Sequence, residues 1–324
     1  MKRVAVLDDY QGEVLSLPYW RRLQGRAAID HFRDTLHDDR ALAERLKPYQ
    51  ILVPIRERTR FSTALLQQLP ALELLAITGR NSGHVDVKTA TARGVLVSET
   101  GSSGPAAIEL TMGLIIATVR GIPQEDRALR AGRWQQSIGI ELAGRTLGVV
   151  GLGRIGGKIA AFGRLLGMRV LAWGPTLTAE RATAAGADYV PLETLLKESD
   201  VVTLHTRLSD LTRGLITARH LALMKPTAYL INTARGPIVD EAALVTALRE
   251  RRIAGAGLDV FDVEPIAPDH PLLALDNVVL TPHIGYVTHE AYDVFFREVV
   301  EHIEQYLDGK VPDRTLNPEA LDKR

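Results

Sequence analysis

The sequence predicts an α/β protein of two domains, each built on a doubly wound parallel sheet. Three observations carry this. The chain has 324 residues, more than one hydrophobic core usually organises. Runs rich in β-branched residues alternate with helical stretches, and strands separated by helices pair in parallel. Near the middle, VVGLGRIG joins an apolar run to a helix start, with Gly151, Gly153 and Gly156 in G-x-G-x-x-G register.

In chain order, residues 4–9 (VAVLDD), 51–55, 72–78 and 95–99 read as the strands of the first domain. Between them, 38–46 and 62–70 read as helices, the second with Ser62 as N-cap. Pro70 and Gly94 fall where turns are needed, and GSSGPAA (101–107) reads as a linker. An apolar helix follows from Pro105 to Arg120, closed by Gly121 and Pro123. Residues 141–167 give strand, glycine turn and helix, and 169–173, 200–205, 228–233, 255–260 and 277–281 are further strands. The last helix, near 288–308, has no place in a complete six-strand unit and is expected to cross back. The expected division is 1–100 with 286–324, and 101–285.

A hydrophobic share of 46% and a charged share of 24% are ordinary for a globular protein, which argues against disorder. The formal net charge of zero leaves no basic excess to hold a phosphate backbone, which argues against nucleic acid, and removes a repulsion that opposes self-association. Without cysteine there is no disulfide, thiolate metal site or Cys nucleophile, and no metal site is indicated. The short apolar run of MKRVAVLDDY soon meets Asp8 and Asp9, which reads as a first strand rather than a signal peptide. No run of about 18 apolar residues appears, so no membrane span is expected and the protein reads as cytoplasmic.

The glycine turn suits a dinucleotide. Its first Gly makes the turn, its second lets backbone approach the pyrophosphate and its third packs helix on strand, while the helix N-terminus meets phosphate charge. The second half of that pattern is an acid about 20 residues on that bonds the ribose. It is missing here, because Gly174 occupies its position and no Asp or Glu lies between Gly151 and Glu180. Thr176, Thr178 or Arg181 can bond a 2′-phosphate, and the same threonines can serve plain ribose hydroxyls. NAD(H) and NADP(H) therefore both stay open. Downstream, Arg235 in INTARGPIVD, Glu264 in GLDVFDVEP and His283 in NVVLTPHIGY sit at three strand-like ends. A guanidinium, a carboxylate and an imidazole are what reduction of a 2-oxo acid needs beside a nicotinamide. Arg grips the substrate carboxylate in a two-pronged pair, His delivers the proton, and Glu favours the charged His.

These segments, with GRWQQSIGIELAGRTLGVVGLGRIG, SDVVTLHTRLSDLTRGLI, MKPTAYLINTARGPIVDEAALVTAL and the tail LNPEAL, resemble the D-isomer-specific 2-hydroxyacid dehydrogenase family nearly end to end. The resemblance implies a flavodoxin-like substrate domain built from both chain ends, a Rossmann nucleotide domain, and a homodimer formed through the 101–140 region. It implies interconversion of a D-2-hydroxy acid and its 2-oxo acid, with the small-molecule substrate in a cleft between domains. Arg235 becomes the carboxylate-binding residue, His283 the acid/base and Glu264 its partner. Gly151, Gly153, Arg154, Ile155, Gly156, Gly174, Thr176, Thr206, Ala234, Arg235, Asp259 and His283 fall along the cofactor groove, Asp259 near the nicotinamide end. A substrate-binding loop is implied at Gly79, Arg80 and Asn81 in ITGRNSGHVDV, where Arg80 and Asn81 replace the usual small residue and Gly but keep their backbone N–H donors.

Arg56, Arg58 and Arg60 in IRERTRF read as an exposed charged loop, and His205 and His289 as structural or solvated. Two rivals remain. Formate or phosphite oxidation is similar on this scaffold, although formate enzymes carry Gln where Glu264 stands. A dinucleotide-sensing binding protein, like the related transcriptional corepressors, would keep the same three residues.

Overall fold

The computed structural model describes residues 1–80 and 82–323 and falls into two compact units, Met1–Gly104 with Val287–Arg324, and Pro105–Tyr286. The first unit carries β1 (Lys2–Leu7), β2 (Ala27–His31), β3 (Ile51–Pro54), β4 (Leu74–Ile77) and β5 (Leu96–Glu99) in the order β2-β1-β3-β4-β5. The second carries β6 (Thr146–Val150), β7 (Arg169–Trp173), β8 (Asp188–Tyr189), β9 (Val201–Leu204), β10 (Tyr229–Asn232), β11 (Gly255–Leu258) and β12 (Val278–Leu280). Its order is β12-β11-β10-β9-β6-β7-β8. Among the described residues every pairing between these strands is parallel.

Parallel sheets carry helices on both faces, so their central strands read as unbroken apolar runs. That is why β3, β4 and β9 were legible, and all of their residues are buried. β2 and β8 were not expected. β2 ends in Asp30 and His31 and pairs only with β1, so it is a half-exposed edge strand without the apolar signature. β8 is two exposed residues long. β1 starts two residues earlier than expected and stops at Leu7, because Asp8 takes a left-handed φ of 59°.

The helix signals hold locally. Asp38 accepts from Ala41 N–H at 2.7 Å to cap the helix Asp39–Leu46, and Ser62 caps Thr63–Gln67. Gly121, at φ 61°, separates the helices Ala106–Val119 and Ile122–Arg130. Thr288 caps the last helix, His289–Leu307, which belongs to the first unit and buries Tyr292, Phe295, Phe296, Val299, Val300 and Ile303. Among the described residues no single helix is long and apolar enough to cross a membrane.

In each sheet the strand order reverses once, between β1 and β3 and between β6 and β9. Such a reversal opens a crevice at the carboxyl ends of the strands, the usual place for a ligand in this architecture.

The last helix, His289–Leu307, carries a buried histidine. His302 is 2% exposed, its Nδ1 lies 3.1 Å from Ser98 Oγ, and burial pushes its pKa below the ordinary 6.5 despite the nearby Glu298 and Asp313. With the folded-state value depressed, the unfolded chain binds the proton first. The stabilisation is complete above about pH 6.5 and is lost as pH falls below it. The expected result is a urea midpoint that drops between pH 7.5 and pH 5, with a smaller drop in His302→Asn. An equal drop in the variant would exclude His302 as a source of the dependence.

Candidate active site

The glycine turn follows β6. Gly151 has φ 102° and its N–H donates to Trp173 O at 2.7 Å. A Cβ on Gly151 would stand 2.7 Å from His205 C and Thr206 N, and one on Gly156 would stand 2.1 Å from Gly151 O. Neither tolerates a side chain. Gly153 has open space, so at that position the backbone is reachable from outside. The helix Arg154–Leu165 starts here with no side-chain cap, which leaves first-turn N–H groups for an anion. Thr206, after β9, is 9% exposed and its Oγ1 has no hydrogen-bond partner among the described residues. An orphaned hydroxyl beside an uncapped helix start fits a dinucleotide phosphate or ribose. Gly156→Ala is expected to weaken NADH binding at least about tenfold in a fluorescence titration, because the helix start must move. Unchanged affinity would separate this turn from the nucleotide.

Gly174, at the end of β7, lies against the turn: its added Cβ would be 3.8 Å from Gly151 Cα and 3.5 Å from Leu177 Cβ. Thr176 is exposed and its carbonyl accepts from Arg181 Nη1 at 2.9 Å. Thr178 caps the helix Ala179–Ala184. Arg154 is exposed and Ile155 half-buried. His205 lies 2.9 Å from Thr203 Oγ1 through its Nε2, and burial pushes its imidazole down to about 3. Burial therefore favours its neutral form.

The remaining groups follow β10, β11 and β12. Asn232, 2% exposed, closes the turn after β10: its Oδ1 accepts from Ala234 N–H at 3.0 Å and its Nδ2 donates to Arg235 O at 2.9 Å. This holds Arg235 half-buried and extended, with Nη1 donating to Ala234 O at 2.6 Å. Gly236 then meets the next segment so closely that a Cβ would stand 2.0 Å from Phe261 C. Phe261 N–H donates to Glu264 Oε1 at 2.8 Å, and Glu264 Oε2 lies 2.5 Å from His283 Nδ1. With Nδ1 engaged, Nε2 is the ring nitrogen left for a reacting oxygen.

His283 sits at a left-handed φ of 52°, edge-on to Tyr286 at 5.5 Å. Asp259 builds that turn. Its Oδ1 accepts from Thr281 Oγ1 at 2.6 Å and Ile284 N–H at 2.8 Å, and its Oδ2 accepts from Gly285 N–H at 2.9 Å. Burial raises the Asp259 pKa, opposed by these hydrogen bonds and by the charge of His283. The acid expected along the cofactor groove thus has its carboxylate filled by the His-bearing loop.

The candidates in the first unit stand by themselves. Gly79 is buried at φ 76°, its N–H donates to Thr100 Oγ1 at 2.6 Å, and a Cβ on it would collide with Arg56. Arg80 is exposed, and Asn81 lies outside the described residues. The exposed-loop reading of the arginines holds for Arg60 alone. Arg56 N–H donates to Thr78 Oγ1 at 2.8 Å, and the Arg58 guanidinium donates to Asp8 O and lies 4.4 Å from the Tyr10 ring centroid. Both are half-buried: the Arg56 guanidinium lies 6.0 Å from the Phe295 ring centroid, and Tyr10 with the Asp8 carbonyl takes up the planar head of Arg58.

The structure therefore brings Glu264 and His283 into contact and ties the Arg235 turn to them through the Gly236–Phe261 approach. Asn232 was missed by sequence reasoning. Its only signal was a polar residue closing an apolar strand.

Residues 112–285 match the family described as D-isomer specific 2-hydroxyacid dehydrogenase, NAD binding domain. The glyoxylate reductase of Aeropyrum pernix is 41% identical over 82% of this chain and 82% of its own. A D-3-phosphoglycerate dehydrogenase of Methanocaldococcus jannaschii is 38% identical over 85% of this chain, which spans 53% of that longer protein. Among solved structures, a phosphoglycerate oxidoreductase from Vibrio cholerae O395 is similar with a TM-score of 0.91 and 39% identity, covering 95% of this chain and 100% of that one. With two parallel α/β units, the glycine turn and this breadth of identity, the chain belongs to the D-isomer specific 2-hydroxyacid dehydrogenase family, whose members are nicotinamide-dependent oxidoreductases.

Proposed function

We propose that this protein interconverts a D-2-hydroxy acid and its 2-oxo acid, with His283 as acid/base and Arg235 as the carboxylate anchor. The observation that carries the reading is the 2.5 Å contact between His283 Nδ1 and Glu264, which fixes the ring and frees Nε2. A bound NAD(H) or NADP(H) supplies or accepts the hydride. The protein's own part is to hold the acid and move the proton. The Arg235 fork pairs with the C1 carboxylate and orients C2. In the reducing direction His283 Nε2 gives its proton to the oxygen at C2 as hydride reaches the carbon, and Glu264 holds the ring in place through Nδ1. The reverse steps oxidise the alcohol.

The test is nucleotide oxidation over a panel of 2-oxo acids, beginning with glyoxylate because similar proteins are named for it. Turnover of at least one acid, giving the D-alcohol where the product is chiral, is the expected result. Nucleotide binding with no turnover on any acid would instead favour a sensing protein. The exposed apolar side chains of Ile122, Leu129, Trp134 and Ile138 support a homodimer through the 101–140 region.

For the cofactor, we infer that NADP(H) is poorly excluded. Rejecting a 2′-phosphate requires like charge or a steric block. Gly174 offers neither, and residues 175–179 carry no acid. Gly174 has no positive φ and room for a Cβ, so an acid can be installed there. Gly174→Asp is expected to lower kcat/KM with NADPH far more than with NADH. A native preference for NADH of about a thousandfold, worth about 4 kcal/mol, would overturn this reading of the loop.

A further inference from the structure

We infer that Glu241 and His270 form a positioning pair that sets the Glu264 carboxylate against His283. The inference rests on the roles proposed for those two residues. Glu241 opens the helix Glu241–Arg249, and His270 precedes the short turn Pro271–Ala274. His270 Nδ1 accepts from Leu272 N–H at 3.3 Å, so in the neutral ring the proton sits on Nε2. That N–H meets Glu241 Oε1 at 3.0 Å, and Glu241 Oε2 accepts from Asp262 N–H at 3.1 Å.

Phe261 and Asp262 are consecutive, and their N–H groups are divided between two carboxylates. Phe261 N–H goes to Glu264 and Asp262 N–H to Glu241. The segment is thus held on one side by the pair and presents Glu264 on the other. Its backbone has little freedom otherwise, since Gly236 lies against Phe261 and the Phe261 ring stands edge-on to His270 at 6.5 Å. The carboxylate at 241 also comes at a cost. Asp262 has its pKa raised by burial and then by Glu241 and Asp240, with Arg213 and His270 opposing. A group chosen only to anchor a loop would avoid that repulsion. Glu241 instead offers two acceptor oxygens, one for each neighbour, which no neutral side chain of its length does.

Glu241→Gln keeps the shape but leaves a single acceptor oxygen, so the His270 N–H or the Asp262 N–H goes unmet. The direct readout is the downfield proton NMR signal of His283 Nδ1–H shared with Glu264, recorded on the whole protein without substrate. It is expected to move or broaden in Glu241→Gln and His270→Ala, and to stay near the native position in His270→Gln, whose amide can still donate to Glu241. On a 2-oxo acid turned over by the native enzyme, kcat is expected to fall about tenfold or more in Glu241→Gln, the scale for a displaced catalytic contact, while NADH affinity holds. The loss should largely vanish when Glu264→Gln is already present, since a positioning residue acts through its target.

An unmoved signal, or a kcat loss that adds fully to that of Glu264→Gln, overturns the positioning role whatever happens to thermal stability. A signal that moves while His283→Asn keeps full activity leaves the pair standing and removes the acid/base assignment beneath it.

Discussion

His283→Asn is expected to lower kcat for 2-oxo acid reduction by about a thousandfold, some 4 kcal/mol, the middle of the range for losing a positioned general acid. Asparagine is the informative replacement. The position has a left-handed φ of 52°, which Asn tolerates better than most side chains, so lost activity is not attributable to a strained turn. The amide can still meet Glu264 but has no titrating nitrogen to give a proton. Asp259 and its three hydrogen bonds to the loop remain in place, and NADH affinity is therefore expected to hold within about threefold, under 1 kcal/mol. Stopped-flow reduction with fluorescence titration of NADH measures both. A variant within tenfold of native kcat would remove His283 as the acid.

Arg235→Ala is expected to cost about as much, but to divide differently. The guanidinium both binds the substrate and orients its reacting carbon, so kcat/KM should fall by about 3–5 kcal/mol, with saturation pushed beyond practical acid concentrations. Arg235→Lys keeps the charge without the planar fork and should recover only part of the loss. Oxalate, a dicarboxylate without a reducible carbonyl, should lose affinity for the NADH-loaded Ala variant while NADH itself binds normally. If kcat/KM survives in Arg235→Ala, another cation holds the acid and the grip assigned to the turn after β10 is wrong.

How much of this was legible depended on how local each constraint is. The turn at Gly151 and Gly156 was legible because two backbone segments approach within a few ångströms, and only glycine permits it. Arg235, Glu264 and His283 were legible as charged residues closing apolar runs. Asn232, Glu241 and His270 were not, because their importance lies in which N–H groups they meet, and sequence does not show those meetings. Asp259 was visible as a strand-end acid, but its three donors come from residues 281–285, more than 20 positions away. Arg56 and Arg58 misled for a related reason. Three arginines within five residues look solvated until Tyr10, after the neighbouring strand β1 and 48 positions earlier, supplies a face for one of them. Edge strands fail differently, since β2 and β8 lack the two-sided burial that writes a strand into the sequence.

The interrupted make-up of the first unit bears on how the chain is born. Residues 105–286 form one unbroken stretch, so the second unit can mature as it leaves the ribosome. The first cannot. Its opening 104 residues must wait for Phe295, Phe296, Val299 and Ile303, which are translated after the whole second unit. At about 5–20 residues per second, the intervening 182 residues take on the order of 10–40 seconds. Through that interval the apolar surface that the last helix covers stays open to water.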